Sequence, residues 1–345
     1  MRHVPEPEGR RGRRRPPTYY GVPPIHKPHW KWLIISYFFL GGLSGGSYVV
    51  ATAAELFGTR EDHDTARIGR YLALLSILPC PILLILDLGR PERFLNMLRV
   101  LKLRSPMSLG TWGLLTYSGI ATLSTAAQAA RDGWRVGPSG FLRSVPGRFV
   151  GALGAPFAMF VGGYTGVLLG ATAVPLWAKN ARLLGPLFLS SALAVSSAAI
   201  SLILALLPGQ RHTALDRLRR AETVASMAEM FCVAAVHLNS GPLGKPLVEG
   251  RLGRLHLAGS VGLGILLPFA LHAVATRLRL PHRPVVILAS LASLTGGFIM
   301  KYAVVMAGHA SADDPAATFE YAGGRRRLPI GEESAPSEHG GGRPR

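Results

Sequence analysis

The sequence predicts an all-α integral membrane protein with eight transmembrane helices. Mean hydropathy is +0.28 and 48% of the 345 residues are hydrophobic, which is high for a soluble chain of this length. The charges are segregated: apolar windows alternate with short basic stretches. Each window is about 20 residues long, which is what a helix needs to cross a hydrocarbon core of about 30 Å.

The windows cover 32–57, 69–88, 110–130, 150–174, 185–207, 220–238, 255–275 and 285–307. They are too long, and too poor in period-2 alternation, to be barrel strands. Small residues recur within them, as in "GGLSGGSYVVATAA" and "SSALAVSSAAIS", where glycine and serine permit close contact between helices. Three segments follow: a basic, Pro-rich N-terminal tail (1–30), an eight-helix transmembrane domain (31–307) and a flexible polar C-terminal tail (308–345). Proline removes donors and fixes φ, so the N-terminal tail is expected to be disordered. Its arginine cluster is separated from the first apolar run by a Pro-rich spacer, so it does not read as a cleavable signal.

The formal net charge is +19. In a soluble protein this would suggest nucleic acid. Here the cations lie in tails and between windows, where cytoplasmic loops and anionic lipid headgroups account for them. Membrane lipid is therefore the expected partner, and nucleic acid is not. The two cysteines, Cys80 and Cys232, lie in apolar windows outside any CxxC motif. No iron–sulfur cluster, metal site or disulfide framework is expected in this chain.

Eight spans put both tails on one side, side A, with the loops at 89–109, 175–184 and 239–254. Side B carries the loops at 58–68, 131–149, 208–219 and 276–284. Side A is richer in Lys and Arg, so both termini are expected in the cytoplasm, in a multi-pass protein of the inner (cytoplasmic) membrane.

Several ionisable residues fall inside or at the ends of windows, where such groups tend to be functional. Asp87 ends the second window and is followed by Arg90, Arg93, Arg99 and Lys102. Lys301 lies within the eighth. Glu222 and Glu229 are seven apart in the sixth and so share a face, with Ser226 between them and His237 beyond. This stripe reads as a proton path or as a polar seam between helices. Glu55, at the side B end of the first window, reads as its entrance or as an interfacial carboxylate. His237 and His256 lie at similar depth, so one haem is geometrically conceivable. His272 has no partner, so two stacked haems are not. The expectation is a chain without haem.

Five motifs in order resemble one family: "YFFLGGLSGGSYVVA" (Tyr37–Ala51), "DLGRPERFLNML" (Asp87–Leu98), "SPMSLGTWGL" (Ser105–Leu114), "GGYTGVLLGATAVPLW" (Gly162–Trp177) and "GGFIMKYAVVMAG" (Gly296–Gly308). Over roughly residues 19–308 the chain resembles the NrfD-like membrane subunit of polysulfide-reductase-type complexes. The resemblance implies two four-helix bundles. It also implies a quinone-reactive subunit that passes electrons between the menaquinone or ubiquinone pool and a ferredoxin-like iron–sulfur subunit. That partner in turn serves a molybdopterin catalytic subunit, so the chain is not catalytic alone. Members often place the docking face outside the cell, which runs against the cytoplasmic side A read from charge.

Within this resemblance, a quinone needs an apolar slot with donors at its ring oxygens. Tyr164 matches a quinone-contacting tyrosine, and Tyr37 lies at similar depth. Gly41, Gly42, Gly45 and Gly46 form either a smooth wall for the ring, with Gly45 the candidate quinone-binding glycine, or a packing seam. Asp87 and Lys301 are the candidate proton-handling groups at the ring, with Lys301 as partner for Asp87 or for a quinone oxygen. Arg90, Arg93, Arg99 and Lys102 are the candidate docking residues. The alternative is a small-solute or ion transporter. Pro79 and Pro81 interrupt the second window and Pro268 the seventh, but no internal repeat accompanies them.

Overall fold

A computed structural model describes residues 28–88, 92, 96, 98, 99, 101, 102, 104–134, 139–209, 212–279 and 281–314. Among them there is no strand. Eight long helical segments form the body: α1 (Trp32–Phe57), α2 (Arg60–Asp87), α3 (Pro106–Arg131), α4 (Gly147–Gly170), α5 (Ala181–Leu206), α6 (His212–Ser240), α7 (Gly250–Leu278) and α8 (His282–Ala312). Seven of these, all but α3, are long and apolar enough to cross a membrane. The eight-span expectation is thus met at seven. α3 has 26 residues, but its serines, threonines and Gln128 dilute its hydropathy.

Local chemistry explains the breaks. α2 pauses at Leu78, ahead of Pro79 and Pro81, because proline supplies no N–H to the preceding turn. α7 is π-helical over His256–Leu266 just before Pro268; such wide turns concentrate at functional or strained positions. α3 starts at Pro106, with Ser105 Oγ accepting from the Ser108 N–H at 3.4 Å, an N-cap arrangement. α8 continues past the expected boundary at 307 to Ala312. There Trp177 Nε1 donates to Val304 O at 2.9 Å and the Leu176 N–H donates to Ser311 Oγ at 3.4 Å, so the first residues assigned to a tail are packed helix.

α1 packs on α2, α4 and α5, and α3 packs on α4 and α2. α5 also packs on α6 and α8, and α7 packs on α8. The outer faces are apolar: Leu75, Leu78, Ile82 and Leu86 on α2 and Phe231 and Leu238 on α6 are exposed. In water such surface would be a liability. In a bilayer it is the lipid contact. The chain is a multi-pass membrane protein.

Candidate functional site

Lys301 is 1% exposed. Lys301 lies nineteen residues along α8, about 28 Å from the helix's first residue and in its second half. Its Nζ donates to Ser191 Oγ on α5 at 3.0 Å and lies 5.6 Å from the centre of the Phe188 ring. Its aliphatic stem passes Gly42 on α1, where a Cβ would stand 3.6 Å from Cε. Glu229 on α6, 4% exposed, faces the same serine and the same ammonium. Four helices therefore converge on one buried cation, one carboxylate and the hydroxyl between them. Lys301 does not meet Asp87: that carboxylate ends α2, half-buried, with His29 near it.

Below this cluster the polar line continues. Ser293 Oγ on α8 donates to Glu222 Oε1 at 2.6 Å. Glu222 and Ser226 line a cavity of about 220 Å³, together with Arg219, Pro268, Phe269 and His272. Glu222 and Glu229 stand on one face of α6, about 10 Å apart along the axis. The polar side chains on this line fall into two buried groups, Glu222 with Ser293 and Ser226, and Glu229 with Ser191 and Lys301. The serines on α5 and α8 that complete it were not legible from the α6 stripe alone.

His237 leaves this line. Its Nδ1 is 2.8 Å from Val233 O, one turn back on α6. Its ring stacks on His256 of α7 with centroids 5.3 Å apart and planes at 12°. Rings stacked face to face do not aim their nitrogens at a shared metal between them. Among the described residues no group of three or more His, Cys, Asp or Glu could hold a metal ion.

Glu55 also leaves it. Its Oε2 is 2.9 Å from Nη2 of Arg70, and its Oε1 is 4.0 Å from Nη1 of Arg131. Arg70, 2% exposed, was not picked out in the sequence. Glu55 is its counter-ion, in the corner formed by α1, α2 and α4 and away from α6.

Tyr37 (4% exposed) and Tyr164 (7% exposed) are both buried and close enough to interact electrostatically, with Cys80 also beside Tyr37. Tyr164 donates its hydroxyl to Pro106 O at the first turn of α3, and its ring stacks on Phe160 at 5.0 Å. A Cβ at Gly110 would overlap that ring. So "SPMSLG" and "GGYTG", far apart in sequence, form one contact. Gly45 does not border open space: a Cβ there would overlap Ala158 O of α4. The expected quinone wall is at that position a helix–helix contact, because two backbones meet without side chains between them. Arg99 and Lys102 are exposed. Arg90 and Arg93 lie outside the described residues.

The polysulphide reductase, NrfD, family model matches residues 24–312. The chain belongs to the NrfD family. It is 27% identical over 305 residues to the C component of polysulfide reductase from Wolinella succinogenes, covering 81% of this chain and 94% of that protein. A shorter similarity, 28% over 88 residues, links it to the C component of selenate reductase from Mesobacillus selenatarsenatis, covering 26% of this chain and 20% of that one. The family match spans every residue of the Lys301 and Tyr37 clusters.

Proposed function

We propose that this NrfD-family chain is the quinone-reactive membrane subunit of a reductase complex. It passes electrons between the menaquinone or ubiquinone pool and a ferredoxin-like iron–sulfur subunit, which serves a molybdopterin catalytic subunit. The observation that carries the reading is the family match over the whole helical domain. In this reading α3 is the eighth span, α1–α4 and α5–α8 form two four-helix bundles, and both termini face the cytoplasm. A reporter fused within 131–149, active only outside the cytoplasm, is the check on orientation; activity from a fusion at the C-terminus instead would reverse it.

The quinone ring is assigned to the side A end, at Tyr37, Tyr164 and Asp87. Tyr164 already donates to a backbone carbonyl, so Tyr37 is the readier donor to a ring oxygen. Asp87 is half-buried at the same end of the bundle, placed to exchange the ring's protons with solvent. The line from the α6–α7 cavity through Glu222 and Glu229 to Lys301 is the coupled proton path. A buried carboxylate and ammonium in a membrane interior are costly groups that tend to be functional, which favours this reading over a polar seam. The exposed Arg99 and Lys102, with Arg90 and Arg93, offer cations to an acidic face of the iron–sulfur partner.

The test is quinol oxidation by the complex purified through the partner's tag. Asp87→Asn is expected to leave assembly intact and to lower turnover about tenfold, a loss of about 1.4 kcal/mol in transition-state stabilisation. Lys102→Glu is expected to leave turnover of intact complex unchanged while loosening partner retention, more so at high salt. Full turnover in Asp87→Asn would reduce that residue to a helix end.

A further inference from the structure

The cavity between α6 and α7 is a helix seam that its own residues leave unfilled. Its α6 wall is Arg219, Glu222, Thr223 and Ser226, and its α7 wall is Phe269, His272, Ala273 and Thr276. Both rows have the spacing i, i+3, i+4, i+7, which puts each on one helical face over two turns. In an ordinary helix pair such rows meet through apolar side chains. Here the α6 row has none. Pro268 adds an apolar wall on α7, and Ser293 of α8 donates to Glu222 Oε1 at 2.6 Å. A space of about 220 Å³ remains, room for about seven waters at about 30 Å³ each.

The hydroxyls beside this space are not turned back onto their own helix. Elsewhere Thr122, Ser197 and Thr295 each donate to the carbonyl four residues earlier, a common way to satisfy a hydroxyl within a helix. Thr276 does so too, to His272 O at 2.8 Å. The side chains of Thr223, Ser226 and His272 make no hydrogen bond among the described residues. Ser226 and Glu222 are each 5% exposed, so this inner end of the cleft is shielded from solvent. A buried hydroxyl without a partner is costly unless something in the cavity meets it. Towards the start of α6, Arg219 pairs with Asp216 at 3.4 Å, and His282 of α8 stands 3.8 Å from the same carboxylate. Arg219 lies seven residues along α6 and Ser226 fourteen, about 10 Å and 21 Å from its first residue. The cleft is therefore polar at both ends. Val224 and Met227 on α6 and Val274 on α7, next in sequence to its walls, are exposed on the surface that meets lipid.

We propose that this cleft binds the headgroup of a neutral quinone or quinol, as a second site separate from Tyr37 and Tyr164. The space is smaller than the roughly 300 Å³ at which pockets begin to enclose a whole drug-sized ligand. It takes a headgroup whose tail stays in the bilayer. Its walls hold one guanidinium and one carboxyl group, so they favour a ligand without net charge. A quinone ring carries oxygens on two opposite edges. Arg219 and His272 serve the outer oxygen, Thr223 and Ser226 the inner one, and Phe269 lies against the ring. A phospholipid matches the walls poorly. Its phosphate would meet the Glu222 carboxyl, and its acyl chain would cover the Ser226 hydroxyl without bonding it. Glu222 keeps its bond from Ser293 and its place on the path proposed above, and the ligand fills the room beside it. The proposal rests on the quinone reading for the source of the ligand. It concerns binding alone, and electron transfer stays with the Tyr37 end.

The test uses the complete complex in lipid nanodiscs and a photoreactive azido-naphthoquinone, with labelled peptides located by mass spectrometry. Labelling is expected in two places: beside Tyr37 and Tyr164, and within 219–226 or 268–276. Ala273→Phe fills the cleft and is expected to abolish the second labelling while retaining the first. Thr223→Val replaces a hydroxyl by a methyl. It is expected to weaken the second labelling about fivefold, the worth of one hydrogen bond, and to spare the first. Phosphatidylcholine and phosphatidylglycerol nanodiscs are expected to give equal labelling. Labelling confined to the Tyr37 end would overturn the proposal, leaving a water-filled cleft and an intact quinone reading. Labelling of 219–226 that persists in Ala273→Phe would mark the lipid-facing surface instead of the cleft, and would overturn it too. So would cleft labelling that falls when phosphatidylglycerol replaces phosphatidylcholine, which would identify an anionic lipid site. Labelling at neither place would overturn this proposal and the quinone reading together.

Discussion

Lys301→Met is expected to abolish quinone-linked turnover and to reduce sharply the amount of folded complex recovered. Methionine keeps the length and apolar stem of lysine, so the groove beside Gly42 and Phe188 stays filled. What is lost is the ammonium that donates to Ser191 and faces Glu229. Removing one member of a buried pair strands the other charge, at a cost of about 3–5 kcal/mol. That is a large fraction of the stability of any domain. The double variant Lys301→Met with Glu229→Gln separates stability from function. Neutralising both members removes the stranded carboxylate, and replacing a whole buried pair is often nearly neutral. Recovery of folded complex is therefore expected, without recovery of turnover. The measurements are thermal stability in detergent and quinol oxidation per mole of complex. Turnover restored in the double variant would make this cluster a structural pin between α5, α6 and α8.

The helical architecture was legible because lipid leaves few alternatives. Apolar length and the positions of Pro79, Pro81 and Pro268 marked the helices and their breaks. Lys301 and the Glu222–Glu229 stripe stood out for the same reason: ionisable residues are rare among apolar neighbours. What could not be read was which stripe faces which. From its position at the end of the first window Glu55 reads equally as an entrance to the α6 stripe and as an interfacial carboxylate, and its nearest cation is not visible there. That cation is Arg70, which lies in a window with enough polar residues to hide one more charge. Ser44 and Tyr117 meet at 2.8 Å, a contact that neither residue marks alone because each is ordinary in its own window. The hydroxyl partner of Tyr164 is a backbone carbonyl at Pro106, which no side-chain pattern encodes.

Gly46→Val is expected to prevent assembly of the complex, whereas Gly41→Ala is expected to leave assembly intact and to raise the KM for quinol. The four glycines of "GGLSGG" lie in two different surroundings. At Gly46 a Cβ would overlap Ala192 O and Ser196 Oγ on α5. That serine is fixed, since it donates to Leu43 O at 2.9 Å. At Gly45 the obstacle is Ala158 O on α4. Neither carbonyl can move without displacing its helix. Overpacking a core costs about 1–3 kcal/mol even where side chains can adjust, and here backbones would have to separate. Gly41 differs: a Cβ there would stand 3.8 Å from both Tyr37 Cε2 and Val161 Cγ1, an ordinary contact. A methyl at that position narrows the space beside Tyr37 without forcing α1 off its neighbours. Expression and size-exclusion profiles of the complex check the first effect, and quinol KM with unchanged kcat checks the second. A folded Gly46→Val complex would show that α1 has slack against α5. An unchanged KM in Gly41→Ala would move the quinone ring away from Tyr37.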